Sequence, residues 1–520
     1  MHDYHTEEDV RGKAVDMVYI RRLLGYARPY VKLLAIVVVL LLALTAIDLI
    51  GPRITANVID NHIKVMESGT GDVEAHLSAL RKLAFLLLGL YFAHAVLTYF
   101  QMYALVKTGQ NMVFDLRRNI FEHLQKLSLT YFDKNPSGRL ITRVTNDVNV
   151  INEAFSGVLV YLFKDFFLMA GIAVVLFLMD VRLTLVVLAP IPLVAVVSMI
   201  FRRMHRDAYR WTREAISKVN VALHEAIAGV NIIKIFAREK QLSERFYGIN
   251  ENNFRANFKI IILSSIFNPM IMVLTNIPIA LLLWYGGLRV LGDYLTVGKL
   301  YVYLVYLRMF FQPIADFSQK YILMQAAMAA SERFFRILDT KDSLSEPEKP
   351  IEMKVCRGEI EFQNVCFSYG EDVKILKNVS FIVKQGETVA LVGSTGSGKT
   401  TVTSLACRFY DVTSGKVLVD GVDVRDREKA DLRRNIAIVM QDTFMFSESV
   451  RDNIRLSTQG ISDEDVRKAA IAVGAEEFIL GLPGGYGEVL QERGVGLSVG
   501  QRQLIAFARA LAHNRKILIL

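Results

Sequence analysis

The 520-residue chain is 52% hydrophobic and 22% charged and carries a net charge of +9, a balance too apolar for one water-soluble domain of that length. Basic residues cluster beside apolar runs, the pattern that sets a protein against the cytoplasmic leaflet, so the charge points to membrane lipid and excludes nucleic acid as a partner. Three cysteines, Cys356, Cys366 and Cys407, match no metal-ligand spacing. They read as free thiols in a reducing cytosol.

Residues 1–30 form a mixed-charge segment with Arg11, Lys13, Arg21 and Arg22, and no small-residue cleavage site follows the first apolar run. That run is therefore an anchor and not a signal peptide. A transmembrane domain is expected over 31–339. Six stretches within it are apolar enough to cross hydrocarbon as helices: 31–50, 83–103, 158–179, 183–200, 260–285 and 300–323.

The connections between spans two and three and between spans four and five are long and rich in Lys and Arg, so both face the cytoplasm together with the two termini. Each keeps an apolar period near 3.6, as at Val113, Leu116, Ile120 and Leu124. Helices running into the cytoplasm and turning back, at 133–138 and around 225–229, are expected. Within the spans, His94, Lys164, Asp165, Asn268 and Asn276 are polar. Lys164 and Asp165 are expected near the inner membrane surface; for His94 and the two asparagines, helix-to-helix hydrogen bonding accounts for them as well as transport does, and none is assigned a role. Pro269 and Pro278 are expected to kink the fifth helix.

A polar linker at 340–357, with Pro347 and Pro350, leads into an α/β domain over 358–520. Strands are expected at 360–367, 379–383 and 388–392. The last runs into Gly393, Ser394, Thr395, Gly396, Ser397, Gly398, Lys399, Thr400 and Thr401, a strand, glycine turn and helix start that form a P-loop. Backbone N–H groups and the helix N-terminus would cradle phosphates, Lys399 would reach the β and γ phosphates, and Thr400 would ligate Mg²⁺. A second element, Leu497, Ser498, Val499, Gly500, Gln501 and Arg502, opens a helix. Ser498 is at least its N-cap.

These two motifs behind six spans resemble ABC transporters of the exporter type: half-transporters in which an all-α six-helix bundle with long cytoplasmic extensions is fused to an α/β P-loop ATPase domain. Tyr131 to Gly138 resembles that family's first intracellular loop, Thr296 to Leu300 the entry to the sixth helix, and Ser331 to Asp339 the approach to the ATPase domain.

The resemblance implies Tyr369 as the aromatic that stacks on adenine, and Gln441 as the residue that contacts Mg²⁺ and water while sensing the membrane domain. It further implies that Glu492, Arg493 and Gly494 meet the intracellular loops, and that Ser498, Gly500 and Gln501 close over ATP held by a second half-transporter, identical or different. ATP and Mg²⁺ are the implied cofactors. Lys399 and Gln441 are the implied catalytic residues, and the cell membrane, the inner membrane of a bacterium, is the implied location. The implied activity is ATP-driven alternating-access export of an amphipathic drug, lipid or peptide.

Two features depart from the family. Val499 stands where glycine is usual. The sequence also ends at Leu520, inside the start of the strand that in this family leads to the Mg²⁺-linked aspartate and catalytic glutamate, so a domain incomplete at its C-terminus and inactive alone is expected. The alternative reading is a catalytically impaired regulatory half of a heterodimeric transporter or channel.

Overall fold

The computed structural model describes residues 17–67, 73–341, 344, 346–353, 355–370, 373–458 and 460–520. Arg11 and Lys13 of the expected N-terminal segment, and Lys354 of the expected linker, lie outside them. The chain divides into two compact units, one reaching to Phe121 and resuming over Thr142–Leu338, the other joining Glu122–Ile141 to Asp339–Leu520.

The first unit is helical. Hydrocarbon offers no partner to backbone N–H and C=O groups, so long uninterrupted helices dominate. Val73–Leu124 has 52 residues, about 78 Å at 1.5 Å per residue and more than twice a hydrocarbon thickness of about 30 Å. Among the described residues, five stretches are long and apolar enough to cross a membrane: Met17–Met66, Val73–Leu124, Ser137–Met179, Val181–Ala228 and Glu239–Leu291.

The sixth expected span, 300–323, does lie in a helix, Val297–Asp339. It is not among those five, because Arg308, Asp316 and Lys320 interrupt its apolar run. The fourth expected span is also not continuous. Its helix Val181–Leu188 ends before Pro190, and a new one starts at Ile191. The second expected reversal spreads over two breaks, Gly229 and Phe236 to Arg238, around the short helix Val230–Ile235. Pro269 and Pro278 lie inside the helix Glu239–Leu281.

The core of this unit gathers Ile172, Leu176, Leu183, Val187, Leu282, Val302, Tyr303 and Tyr306, all almost wholly buried. Several polar groups in and around it are held by partners. The Tyr303 hydroxyl donates to the Leu176 carbonyl at 2.9 Å. Asp180 caps Val181–Leu188 by accepting from the Leu183 N–H at 2.9 Å and pairs with Arg289 at 3.0 Å. Asp165 pairs with Lys320, and Asp147 takes Arg333 in two parallel bonds of 2.6 and 2.9 Å. At the start of Val297–Asp339, Asp60 accepts from the Gly298 N–H at 2.7 Å and from the Thr296 hydroxyl at 2.5 Å, satisfying donors that a helix N-terminus leaves open.

In the second unit, β1 (Ile360–Phe367), β2 (Leu376–Val383), β3 (Ser414–Val419) and β4 (Val422–Asp423) form an antiparallel sheet in the order β2-β1-β3-β4. Two further strands, β5 (Ile436–Ile438) and β6 (Ile517–Ile519), pair in parallel. The helix Lys399–Ala406 packs Val402 and Leu405 onto Phe362, Phe367 and Val417 of the first sheet. A separate helical core joins Val450–Arg455, Asp463–Ala472 and Val499–Ala512 through Ile454, Val466, Ala470 and Ile505.

The strand expected at 388–392 does not form. That segment pairs with no strand among the described residues, and Val392 is 90% exposed. Its apolar run is the signature of a strand buried in a parallel sheet, and without a ladder partner on either side the backbone stays irregular.

At Gly298 an added Cβ would lie 2.4 Å from the Ala56 carbonyl oxygen and 2.5 Å from an Asp60 oxygen, and backbone cannot yield cheaply. Gly298→Ala is expected to cost about 1–3 kcal/mol, read as a lower thermal midpoint of the detergent-solubilised protein. An unchanged midpoint would contradict this close approach.

Candidate nucleotide site

Two glycines in left-handed backbone build the P-loop: Gly396 at φ +85° and Gly398 at φ +91°, a region costly for any residue with a Cβ. At Gly398 a Cβ would also strike Leu376 at 2.7 Å. The Ser397 N–H donates back to the Ser394 carbonyl at 3.2 Å and closes the turn. The Lys399 ammonium folds over the loop and donates to the carbonyls of Gly393 and Ser394 at 2.7 and 3.0 Å. Neutral carbonyls are weaker partners than a phosphate. A Cβ at Gly396 would meet nothing within 4 Å, so the loop leaves open space on that side. The cradle therefore fits a polyphosphate with its Mg²⁺, and Thr400, exposed in the first turn of the helix, is placed to serve the metal.

The helix carrying Lys399 and Thr400 is seated by its far end. Cys407 is buried there, and the Arg408 side chain, 2% exposed, donates to the Arg427 carbonyl at 2.9 Å and pairs with Asp411 at 3.2 Å. Burial pushes the Cys407 thiol up to about 11. Cys366 accepts the Asn378 N–H at 3.2 Å, and that bond holds its thiol below the usual range.

Tyr369 is brought to the P-loop. Its hydroxyl lies 3.2 Å from that of Thr401, one residue past Thr400, and its ring is 46% exposed, free to offer a face to a planar base. Behind it, the Phe367 and Tyr410 rings stand edge-on at 4.8 and 5.1 Å.

Tyr410 is the residue that sequence reasoning passed over. Its hydroxyl donates to the Asp133 carboxylate at 2.7 Å, and Asp133 lies in the loop between Leu129–Lys134 and Ser137–Thr142. Burial and the Asp133 carboxylate push the phenol well above its ordinary range, so it stays a donor at any physiological pH. The available signal was an aromatic directly after the P-loop helix, in Arg408-Phe409-Tyr410-Asp411.

Ser498 does cap its helix. Its hydroxyl accepts the Gln501 N–H at 3.2 Å while the Gln501 side chain accepts the Ser498 N–H at 2.9 Å, a reciprocal capping box. Val499 is exposed, and Gly500 has open space where a Cβ would be. Gln441 is exposed just past β5. Among the described residues no hydrogen bond joins Gln441, Ser498 or Gln501 to the P-loop, so the fold assembles one half of the expected site, with Tyr369, Lys399, Thr400 and Thr401 together.

Residues 34–314 match the family described as ABC transporter transmembrane region, and residues 376–520 match the ABC transporter domain. The chain belongs to the ABC transporter family. This ABC transporter is 36% identical over 519 residues to the uncharacterized ABC transporter ATP-binding protein YknV of Bacillus subtilis, covering 99% of this chain and 84% of that protein. It is 33% identical over 509 residues to an ATP-dependent lipid A-core flippase of Syntrophus aciditrophicus, covering 97% and 82%. With the putative multidrug export ATP-binding/permease protein YgaD of Bacillus subtilis the identity is 32% over 510 residues, covering 97% and 87%. Membership carries ATP binding, and hydrolysis of ATP coupled to transport, as the activity of the family.

Because thiolate is the reactive form, alkylation at pH 8 is expected to label Cys366 about tenfold faster or more than Cys407. Iodoacetamide labelling followed by peptide mass spectrometry reads the ratio. Equal rates would mean that the P-loop helix is not seated as described.

Proposed function

We propose that this ABC transporter exports amphipathic molecules, whether drugs, lipids or peptides, across the cell membrane of a bacterium. Two half-transporters work together, with the termini and ATPase domains in the cytoplasm. Lys399 and the P-loop N–H groups bind the phosphates of ATP, and Tyr369 stacks on its adenine. Mg²⁺, held by Thr400 and Gln441, would neutralise charge on the β and γ oxygens. Ser498, Gly500 and Gln501 are offered to ATP on the opposite chain. Val499 is compatible with that clamp because its side chain points into solvent. Closure of the two ATPase domains turns the bundle from inward-open to outward-open, and hydrolysis with product release resets it.

The observation that carries this reading is the run Tyr369, Tyr410, Asp133. The base-stacking ring touches a second tyrosine at 5.1 Å, and that tyrosine holds the intracellular loop at 2.7 Å. Loading of the adenine pocket is thereby sensed by a segment continuous in sequence with the helices Val73–Leu124 and Ser137–Thr142. Relatives named for lipid A-core flipping and multidrug export support an amphipathic cargo.

In proteoliposomes of the full chain with its partner half, Lys399→Ala is expected to lower ATP hydrolysis about a hundredfold or more and to abolish export of a fluorescent amphipathic dye. Tyr410→Phe keeps the ring and loses the donor. ATP binding is expected to persist while export per ATP hydrolysed falls severalfold. Export unchanged by Lys399→Ala would overturn the function, and an unchanged ratio in Tyr410→Phe would overturn the coupling.

A further inference from the structure

Among the buried polar atoms without partners in the membrane half, two, Thr98 Oγ1 and Gln101 Nε2, share a face of one helix. His94, Thr98 and Gln101 are spaced i, i+4 and i+7 on Val73–Leu124, which puts them on one face over about 10 Å. Two anchor points fix what that face looks at. His94 meets Asp48 of the helix Val31–Val58, with Nε2 to Oδ1 at 3.3 Å. About three turns further along, Ala104 and Leu105 pack on Val37 and Leu41 of that same helix. Thr98 and Gln101 lie between these anchors, opposite the turns from Leu41 to Asp48.

There they find nothing to bond. Gln101 is 3% exposed and its amide nitrogen has no hydrogen-bond partner among the described residues; the Thr98 hydroxyl is likewise buried without one. Thr45 across the gap donates its hydroxyl proton to the Leu41 carbonyl at 2.8 Å, and neither Thr98 nor Gln101 bonds to its oxygen. Buried donors left unmade carry their full desolvation penalty, and at membrane depth bulk water is not at hand to offset it. A leucine at 101 would avoid that penalty. The side chains present are donors, arranged in a file that ends on a carboxylate at one end and on aliphatic side chains at the other.

We infer that the face His94, Thr98, Gln101, opposite Thr45 and Asp48, is a binding site for the hydrogen-bond-accepting head of an amphipathic molecule, such as its ester, ether or carbonyl oxygens. The aliphatic contacts at Leu41 take the first part of its tail. The inference rests on the amphipathic cargo proposed above and adds where the polar part of that cargo is read.

Two fluorescent probes that share one fluorophore and one tail test it: the methyl ester of 11-(dansylamino)undecanoic acid and dansyl-dodecylamine, which lacks the ester oxygens. Equilibrium binding to the full-length transporter in lipid nanodiscs is measured with empty-nanodisc subtraction. The ester is expected to bind about tenfold more tightly than the alkyl probe. Gln101→Leu and Thr98→Val are each expected to remove most of that preference, while alkyl-probe binding and thermal midpoint are maintained.

Equal affinities in the unaltered protein overturn the inference. So does a preference that survives both substitutions. A lowered thermal midpoint with the preference intact also overturns it, and identifies the donors as structural groups satisfied by bound water. If the preference behaves as expected but ATP drives no export of the ester probe, the site stands and the export reading fails.

Discussion

Every backbone polar group at membrane depth must be satisfied by its own helix, and most of this molecule follows from that constraint. It makes the helices continuous and long, up to the 52 residues of Val73–Leu124, and pushes turns and caps to helix ends where side chains can serve them. Asp60 and Asp180 do so at the starts of Val297–Asp339 and Val181–Leu188. Inside, Tyr303 and Thr184 are tolerated because each hydroxyl reaches a carbonyl. Against that rule the unpartnered amide of Gln101 stands out. With the Thr98 hydroxyl on the same face, this orphaned donor is evidence about a ligand as well as about packing.

The same accounting separates what sequence made legible from what it did not. Apolar runs and the P-loop spacing are local properties, and both appear where expected: glycines 396 and 398 take the left-handed angles that the phosphate cradle needs. The run at 388–392 failed because a strand exists only through its neighbours, and here it has no ladder partner. The sixth span is a helix but a less apolar one than the others, since Arg308, Asp316 and Lys320 lie along it. Ser498 was readable as a cap because capping is a four-residue affair. The bond from Tyr410 to Asp133 was not, for it joins positions 277 residues apart.

That bond gives the ATPase half its functional shape. Lys399 folded on the Gly393 and Ser394 carbonyls is a cation waiting for a better acceptor, and the Tyr369 hydroxyl lies against Thr401, two residues further along the same helix. Behind Tyr369 the contacts run through Tyr410 to the loop at Asp133, the route along which the proposed coupling of pocket and loop would act. Ser498 and Gln501 bond each other and make no hydrogen bond to this P-loop among the described residues.

The central claim is that ATP binding reshapes the bundle. The most direct measurement is the spin-label distance between two copies of the chain, with the label at Tyr294→Cys, a highly exposed position between Gly287–Leu291 and Val297–Asp339. In the assembled dimer, adding ATP with Mg²⁺ is expected to shift this distance to longer values, and Lys399→Ala is expected to abolish the shift. A distance distribution unchanged by ATP in the unaltered site would contradict the account.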